Sequence, residues 1–133
     1  MPIYGKGENL REWLFVQDHC RALELISKKG TIGSSYNIGG NNEVMNIDVA
    51  NEVCKILDNT MKKKNRTKSS YSELISLVGD RPGHDKRYSI DSSRLSNELG
   101  WFPEESFSSG LKKTVSWYLN NKDWWEELMI EKY

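Results

Sequence analysis

Apolar residues return at helical spacing along three stretches of this chain, and those stretches carry most of what its pattern predicts. Between Ile47 and Met61, the residues Ala50, Val53, Cys54, Leu57 and Met61 fall on one stripe, which predicts an amphipathic helix. Ala22, Leu23 and Ile26 follow the same rule, so a helix is expected from Asp18, as its cap, to about Lys28, stopped by the glycine of "KKGTIG". A last helix is expected from near Ser106, with Leu111, Val115, Tyr118 and Leu119 on one side. Trp124, Trp125, Leu128 and Met129 extend it. Asp91 is placed to cap a shorter helix over "SSRLSNEL", with Gly100 ending it and Pro103 following.

The remaining segments read as strands and turns. Residues 2–15 alternate loosely, and "REWLFV" has the aromatic and β-branched make-up of a strand end. "SSYNIGG" predicts a short strand running into a glycine turn; "ELISLV" followed by "GDRPGHDKRYSID" predicts strand, turn, strand. "KKKNRTKSS" has no apolar period and is expected to be a loop. About four helices among short strands make a small mixed α/β domain spanning residues 1–133, with too few strands for a complete doubly wound sheet.

Composition narrows the function classes. The 133 residues are 37% hydrophobic and 29% charged, which suits one globular domain with a real core. Nineteen basic side chains balance nineteen acidic ones, so bulk charge favours neither nucleic acid nor a membrane surface, and any anion must be held by a few placed arginines. No apolar run approaches the ~20 residues that span a bilayer. The first residues show neither an apolar signal core nor a basic prelude, so a cytoplasmic location is expected. Cys20 and Cys54 both fall on predicted apolar faces and are expected to be reduced and buried. His19 and His84 are far apart in sequence, so no metal set is expected.

Two stretches remain as candidate chemistry. In "YGKGENLREW", a dinucleotide fingerprint requires a third glycine where Leu10 stands, and a Walker loop requires Gly-Lys-Ser/Thr; neither is met. What is left is a turn at Gly5 and Gly7, either purely structural or letting backbone approach a ligand. Arg11 follows, and its planar fork can grip two phosphate oxygens. In "GDRPGHDKRY", Pro82 and Gly83 set a turn that displays Arg81 and His84, which reads either as an anion or sugar site or as an ordinary salt-bridged loop. Arg87 is expected to face solvent or pair with an acid. "GGNNEVMN" places short amides before a helix, with Asn46 as the natural cap or as a contact to a hydroxyl or phosphate.

Other candidates dissolve. Tyr118 and Lys122 match a Tyr-x-x-x-Lys spacing, but Tyr118 lies on the apolar stripe of the last helix and is assigned to core packing. No serine sits in a nucleophile elbow. Lys62, Lys63, Lys64, Arg66 and Lys68 form a basic run without interleaved aromatics, which reads as a solvated loop rather than a single-strand binder.

The blocks "PIYGKGENLREWLFVQDHCRAL", "YNIGGNNEVMNIDV", "DRPGHDKRYSID" and "ELGWFPEESFSSGLKKTVSWYL" are similar, in order and over the whole chain, to the C-terminal part of the dTDP-glucose 4,6-dehydratases, a branch of the extended short-chain dehydrogenase/reductases. The Gly-x-Gly…Arg…Val-x-Asp pattern is shared by many nucleotide-sugar enzymes; "DRPGHDKRY" with "PIYGKG" and "REWLFVQDH" is narrower. The resemblance implies the smaller C-terminal lobe of a two-lobed enzyme, whose N-terminal Rossmann domain holds NAD and the catalytic groups. It implies a dTDP-sugar partner, contacted by Pro2, Ile3 and Tyr4 at the nucleotide, Arg11 at the diphosphate, and Asn46, Asp80, Arg81, Pro82, Gly83 and His84 as further contacts. In that family the sugar is oxidised at C4, loses water across C5 and C6, and regains hydride at C6. The cofactor loop, the Tyr-x-x-x-Lys pair and the acid/base carboxylates precede the matched part. The chain is therefore expected to be an excised domain or the product of a truncated or split gene, without catalytic or cofactor-binding residues and inactive alone. The alternative is a non-catalytic module that self-associates or complements a separate Rossmann-domain chain.

Overall fold

The computed structural model describes residues 1–61 and 69–130. In chain order these are β1 (Pro2–Tyr4), β2 (Leu10–Glu12), α1 (Val16–Lys29), β3 (Glu43–Met45), α2 (Asn46–Thr60), a 3-10 turn (Tyr71–Leu74), β4 (Ser76–Val78), α3 (Ser93–Leu99), α4 (Phe107–Asn120) and α5 (Lys122–Ile130). The strands form two separate pairs: β1 with β4 in parallel, and β2 with β3 antiparallel. The expected α/β class and shortage of strands are borne out. The lysine-rich run at Lys62, Lys63, Lys64, Arg66 and Lys68 lies outside the described residues.

The core gathers where α1 meets α3. Ala22, Leu95 and Trp101 are its buried centre, and Leu14, Leu25, Ile26, Tyr36, Ile38 and Leu99 pack against it. A second buried set, Val49, Ala50 and Cys54 of α2 with Val115 of α4, lies where those two helices pack together. Gly100 ends α3 in the left-handed conformation (φ 70°) that only glycine adopts freely; Ser92 rather than Asp91 holds the cap position, while Asp91 accepts from the Ser93 amide at 2.9 Å from one residue further out.

Several expectations are corrected. Asp18 does not cap α1, which begins at Val16. It lies inside the first turn, buried, and accepts hydrogen bonds from the Glu104 and Glu105 amides (3.2 and 3.0 Å) and from Arg21 (2.5 Å). Cys20 is exposed, because at ~100° per residue it faces away from the Asp18–Ala22–Ile26 stripe; Cys54 is buried as expected. "SSYNIGG" forms no strand. Side chains replace a ladder there: Arg94 donates to the Ser34 hydroxyl and the Ser35 carbonyl, and Asn37 to the Asp91 carbonyl. In "ELISLV" only Ser76–Val78 is extended, because a capping box between Ser70 and Glu73 tightens residues 71–74 into the 3-10 turn. The strand expected after the Pro82–Gly83 turn shrinks to a single bridge, Leu10 with Arg87.

The last helix is two helices, interrupted at Asn121, so the described residues contain five rather than about four. Tyr118 is half exposed rather than in the core, with Trp117 edge-on to its ring.

Asp18 ties α1 to the segment entering α4. Burial alone pushes its carboxyl pKa up, but the Arg21 hydrogen bond, the two backbone donors and the Arg21 charge together hold it below the ordinary value of 3.8. The stabilisation is therefore complete above that value and is lost as pH falls through the folded-state pKa. Asp18→Ala leaves two part-buried amides without their acceptor and is expected to cost about 2–3 kcal/mol. Urea unfolding at pH 7 measures that loss, and the difference from wild type should narrow at pH 3.

Candidate functional site

Two pieces of backbone pairing assemble the site. In the first, β1 runs parallel to β4 with Tyr4 opposite Val78, so their carboxyl ends deliver Tyr4-Gly5 and Gly79-Asp80 to one edge. The Gly5 amide continues the ladder to the Val78 carbonyl at 2.9 Å. Asp80 then locks the turn that follows, accepting from the Arg81 amide (2.9 Å) and from Nδ1 of His84 (2.7 Å). These contacts hold the Asp80 carboxyl below its ordinary pKa, the His84 hydrogen bond most of all. His84 points inward, its side chain only 6% exposed, with the Tyr4 ring edge-on at 6.3 Å. Arg81, Pro82 and Gly83 stand exposed on the turn.

In the second, the turn after β1 packs on the start of α2. Ile47 donates its amide to the Gly7 carbonyl (3.0 Å) and Asn46 to the Asn9 carbonyl (3.1 Å). Asn46 is thus the first helical residue, half-buried beside this turn; Met45 occupies the cap position and Asn46 is not the cap. Gly7 has φ +73°, and a Cβ there would lie 2.8 Å from both Ile3 Cγ2 and Ile47 Cβ. The space beside Gly7 is filled by protein, so the Gly5-x-Gly7 turn is no cradle for a pyrophosphate, and these residues do not fit NAD. Among the described residues no cluster of three or more His, Cys, Asp or Glu side chains is arranged to hold a metal.

Arg11 joins the two pieces. On β2, its Nη1 donates to the Leu10 carbonyl (2.6 Å) and its Nη2 to the Asp85 carbonyl (2.8 Å), while the guanidinium lies over the Tyr88 ring at 4.5 Å. The Asp85 carbonyl also accepts from the buried Asn9 side chain at 3.2 Å. The Tyr88 hydroxyl donates to the Asp85 carboxylate, and that bond and charge raise the phenol pKa; the charges of Arg11 and Arg81 pull it the other way. Both guanidinium groups therefore act on one phenolic oxygen.

Their electrostatic state also sets these two arginines apart. Arg21 pairs with Asp18 and Glu104, Arg87 with Glu43, and Arg94 with Glu98, whereas among the described residues no carboxylate forms a salt bridge with Arg11 or Arg81. The expected ion-pair role of Arg87 is borne out.

Not every anticipated residue converges. Tyr4, Asp80, Arg81 and His84 cluster, and Arg11 and Asn46 lie along the adjoining turn. Pro2, however, stands at the far end of β1 opposite Ser76, and Ile3 packs towards Gly7. Asn9 and Tyr88 were not anticipated. Asn9 carried no signal apart from polarity, while the aromatic directly after "DKR" was a visible one.

A family profile described as GDP-mannose 4,6 dehydratase matches residues 1–114. The chain belongs to that family. It is 50% identical over 133 residues to a dTDP-glucose 4,6-dehydratase of Escherichia coli, covering 100% of this chain and 37% of that protein. Among solved structures, DesIV (dTDP-glucose 4,6-dehydratase) from Streptomyces venezuelae, solved with NAD bound, superposes with a TM-score of 0.79 at 39% identity, over 96% of this chain and 36% of that one. The dTDP-glucose 4,6-dehydratase of Bacillus anthracis str. Ames in complex with NAD gives 0.75 at 42% identity, over 96% and 37%. The resemblance read from the sequence blocks is borne out, and the chain spans little more than a third of the length of these relatives.

Gly7→Ala must either displace Ile47 from the start of α2 or leave the left-handed region. It is expected to destabilise the fold by about 1–3 kcal/mol, read as a lower denaturation midpoint with an unchanged m-value.

Proposed function

We propose that this chain is the dTDP-sugar-binding part of a dTDP-glucose 4,6-dehydratase, the enzyme that converts dTDP-glucose to dTDP-4-keto-6-deoxyglucose in deoxysugar biosynthesis. The observation that carries the reading is the pair Arg11 and Arg81. Neither forms a salt bridge with a carboxylate among the described residues, and both stand on blocks shared with the dehydratases. Guanidinium groups that form no salt bridge among the described residues, on a chain of zero net charge, suit a diphosphate, which supplies two anionic centres at short spacing. Tyr4 offers an exposed ring beside them for the nucleotide, with Pro2 and Ile3 on the same strand. Asn46 and the Asp80–His84 turn, including Pro82 and Gly83, supply the remaining polar contacts. NAD and the hydride chemistry belong to the Rossmann domain of the whole enzyme, so the chain alone is expected to bind without turning over. A cytoplasmic setting accords with Cys20 and Cys54 as free thiols. No described helix is long and apolar enough to cross a membrane.

Calorimetric titration with dTDP and dTDP-glucose tests this. Weak binding is expected, falling with added salt, and Arg11→Ala and Arg81→Ala should each weaken it by about tenfold. Heat-silent titration at millimolar ligand, confirmed by unshifted NMR spectra, overturns it.

A second reading, as an assembling module, rests on an apolar groove of about 710 Å³ between the start of α1 and the α4–α5 pair. Trp13, Phe15, Val16, Leu111, Trp117 and Trp124 line it, and Trp117 and Trp124 are 44% and 58% exposed. The occupant proposed is a Rossmann-domain chain of the same enzyme class, since the dehydratase relatives contain far more chain than is matched here. Mixing with a separately expressed Rossmann half should restore dehydratase activity and shift the light-scattering mass to a heterocomplex, and Trp124→Glu should prevent both. A homodimer without complementation would instead assign the groove to a second copy.

A further inference from the structure

Resting on the reading that Arg11 grips the diphosphate, we infer that Tyr88 is the positioning residue that fixes the Arg11 fork for that anion. Tyr88 lies outside the residues so far given a part in binding. Its backbone is tied to the residue before Arg11: Leu10 donates to the Lys86 carbonyl at 2.8 Å and accepts from the Tyr88 amide at 3.2 Å. The ring is therefore carried on the same ladder that carries the guanidinium, and 4.5 Å from centroid to Cζ is stacking distance. Two of the five guanidinium N–H groups are held by the Leu10 and Asp85 carbonyls, one flat face is covered by the ring, and the other donors remain for an anion.

An arginine so held loses little rotamer freedom when a diphosphate arrives, whereas a free one must be ordered on binding. The Tyr88 hydroxyl contributes differently. It donates to the Asp85 carboxylate, and the Asp85 carbonyl holds Arg11 Nη2, so the bond ties the ring to the residue that anchors the fork.

The test uses the whole chain and compares dTDP with thymidine, which lacks the diphosphate. Tyr88→Ala should raise the dTDP Kd about two- to fivefold, the range expected of an exposed cation–π contact, and leave thymidine binding unchanged. That effect should vanish in an Arg11→Ala background, while Tyr88→Phe, which keeps the ring, restores most of the affinity. Equal loss for dTDP and thymidine, or a Tyr88→Ala effect that adds in full to Arg11→Ala, would make Tyr88 merely structural and overturn the inference.

Tyr88 is 52% exposed, so truncation is expected to leave the fold intact by circular dichroism. Should Ala unfold the chain, Tyr88→Leu keeps apolar bulk without the π face and gives the same discrimination. Relaxation of the Arg11 Nε–H group by NMR provides a ligand-free readout: wild type should be ordered and Tyr88→Ala mobile. If the wild type binds no dTDP, the functional reading falls, while this measurement still decides whether Tyr88 positions Arg11.

Discussion

Leu10 gives its amide to Lys86 and takes one from Tyr88, and the Arg11 half of the candidate site is arranged around that exchange. It lays the segment after the Pro82–Gly83 turn alongside β2, so residues more than seventy positions apart share one edge. Without it, Arg11 loses both the Asp85 carbonyl and the ring beneath it, and Asn9 loses its acceptor. The β1–β4 pair performs the matching task for Asp80 and His84. Neither pair is a sheet of any size. The site is built from backbone hydrogen bonds at the ends of three-residue strands, positioned by helices packed behind them.

Charge placement follows a related logic. Several carboxylates have their pKa lowered by a neighbouring donor, Glu43 by Arg87, Glu98 by Tyr36 and Arg94, and Glu105 by Lys113. Such pairing neutralises the surface locally and contributes little to stability where it is exposed. Asp18 is the exception in energetic weight, because it is itself buried and holds two backbone amides as well as Arg21. Against this balanced background, Arg11 and Arg81 stand out because neither forms a salt bridge with a carboxylate among the described residues.

The helices were largely legible because a stripe of apolar residues at period 3.6 reports directly on burial, as Ala50, Cys54 and Val115 show. The misreadings share a cause. Tyr118 and Cys20 satisfied a local pattern, but their burial depends on whether another element covers that face. Strand length was overestimated because hydrogen bonds from Arg94 and Asn37 hold the segment around Tyr36, and the Ser70 box winds Glu73 and Leu74 into a 3-10 turn. For the site, charge and turn chemistry marked Arg11 and Arg81 in the sequence. The stacking of Arg11 on Tyr88 was not legible, since it depends on a register between segments far apart in the chain. The outward placement of Pro2 has the same origin.

The amino end of α2 hands its Asn46 and Ile47 amides to the carbonyls of Asn9 and Gly7. Its electropositive pole is thereby capped by peptide oxygens and withheld from any arriving phosphate, unlike a glycine-rich loop that offers bare backbone donors. The groups left facing this edge are side chains, Arg11 and Arg81 among them. Point substitution can consequently change the charge of this edge while the helix beneath stays unchanged, a freedom denied to folds whose electropositive groups are main chain.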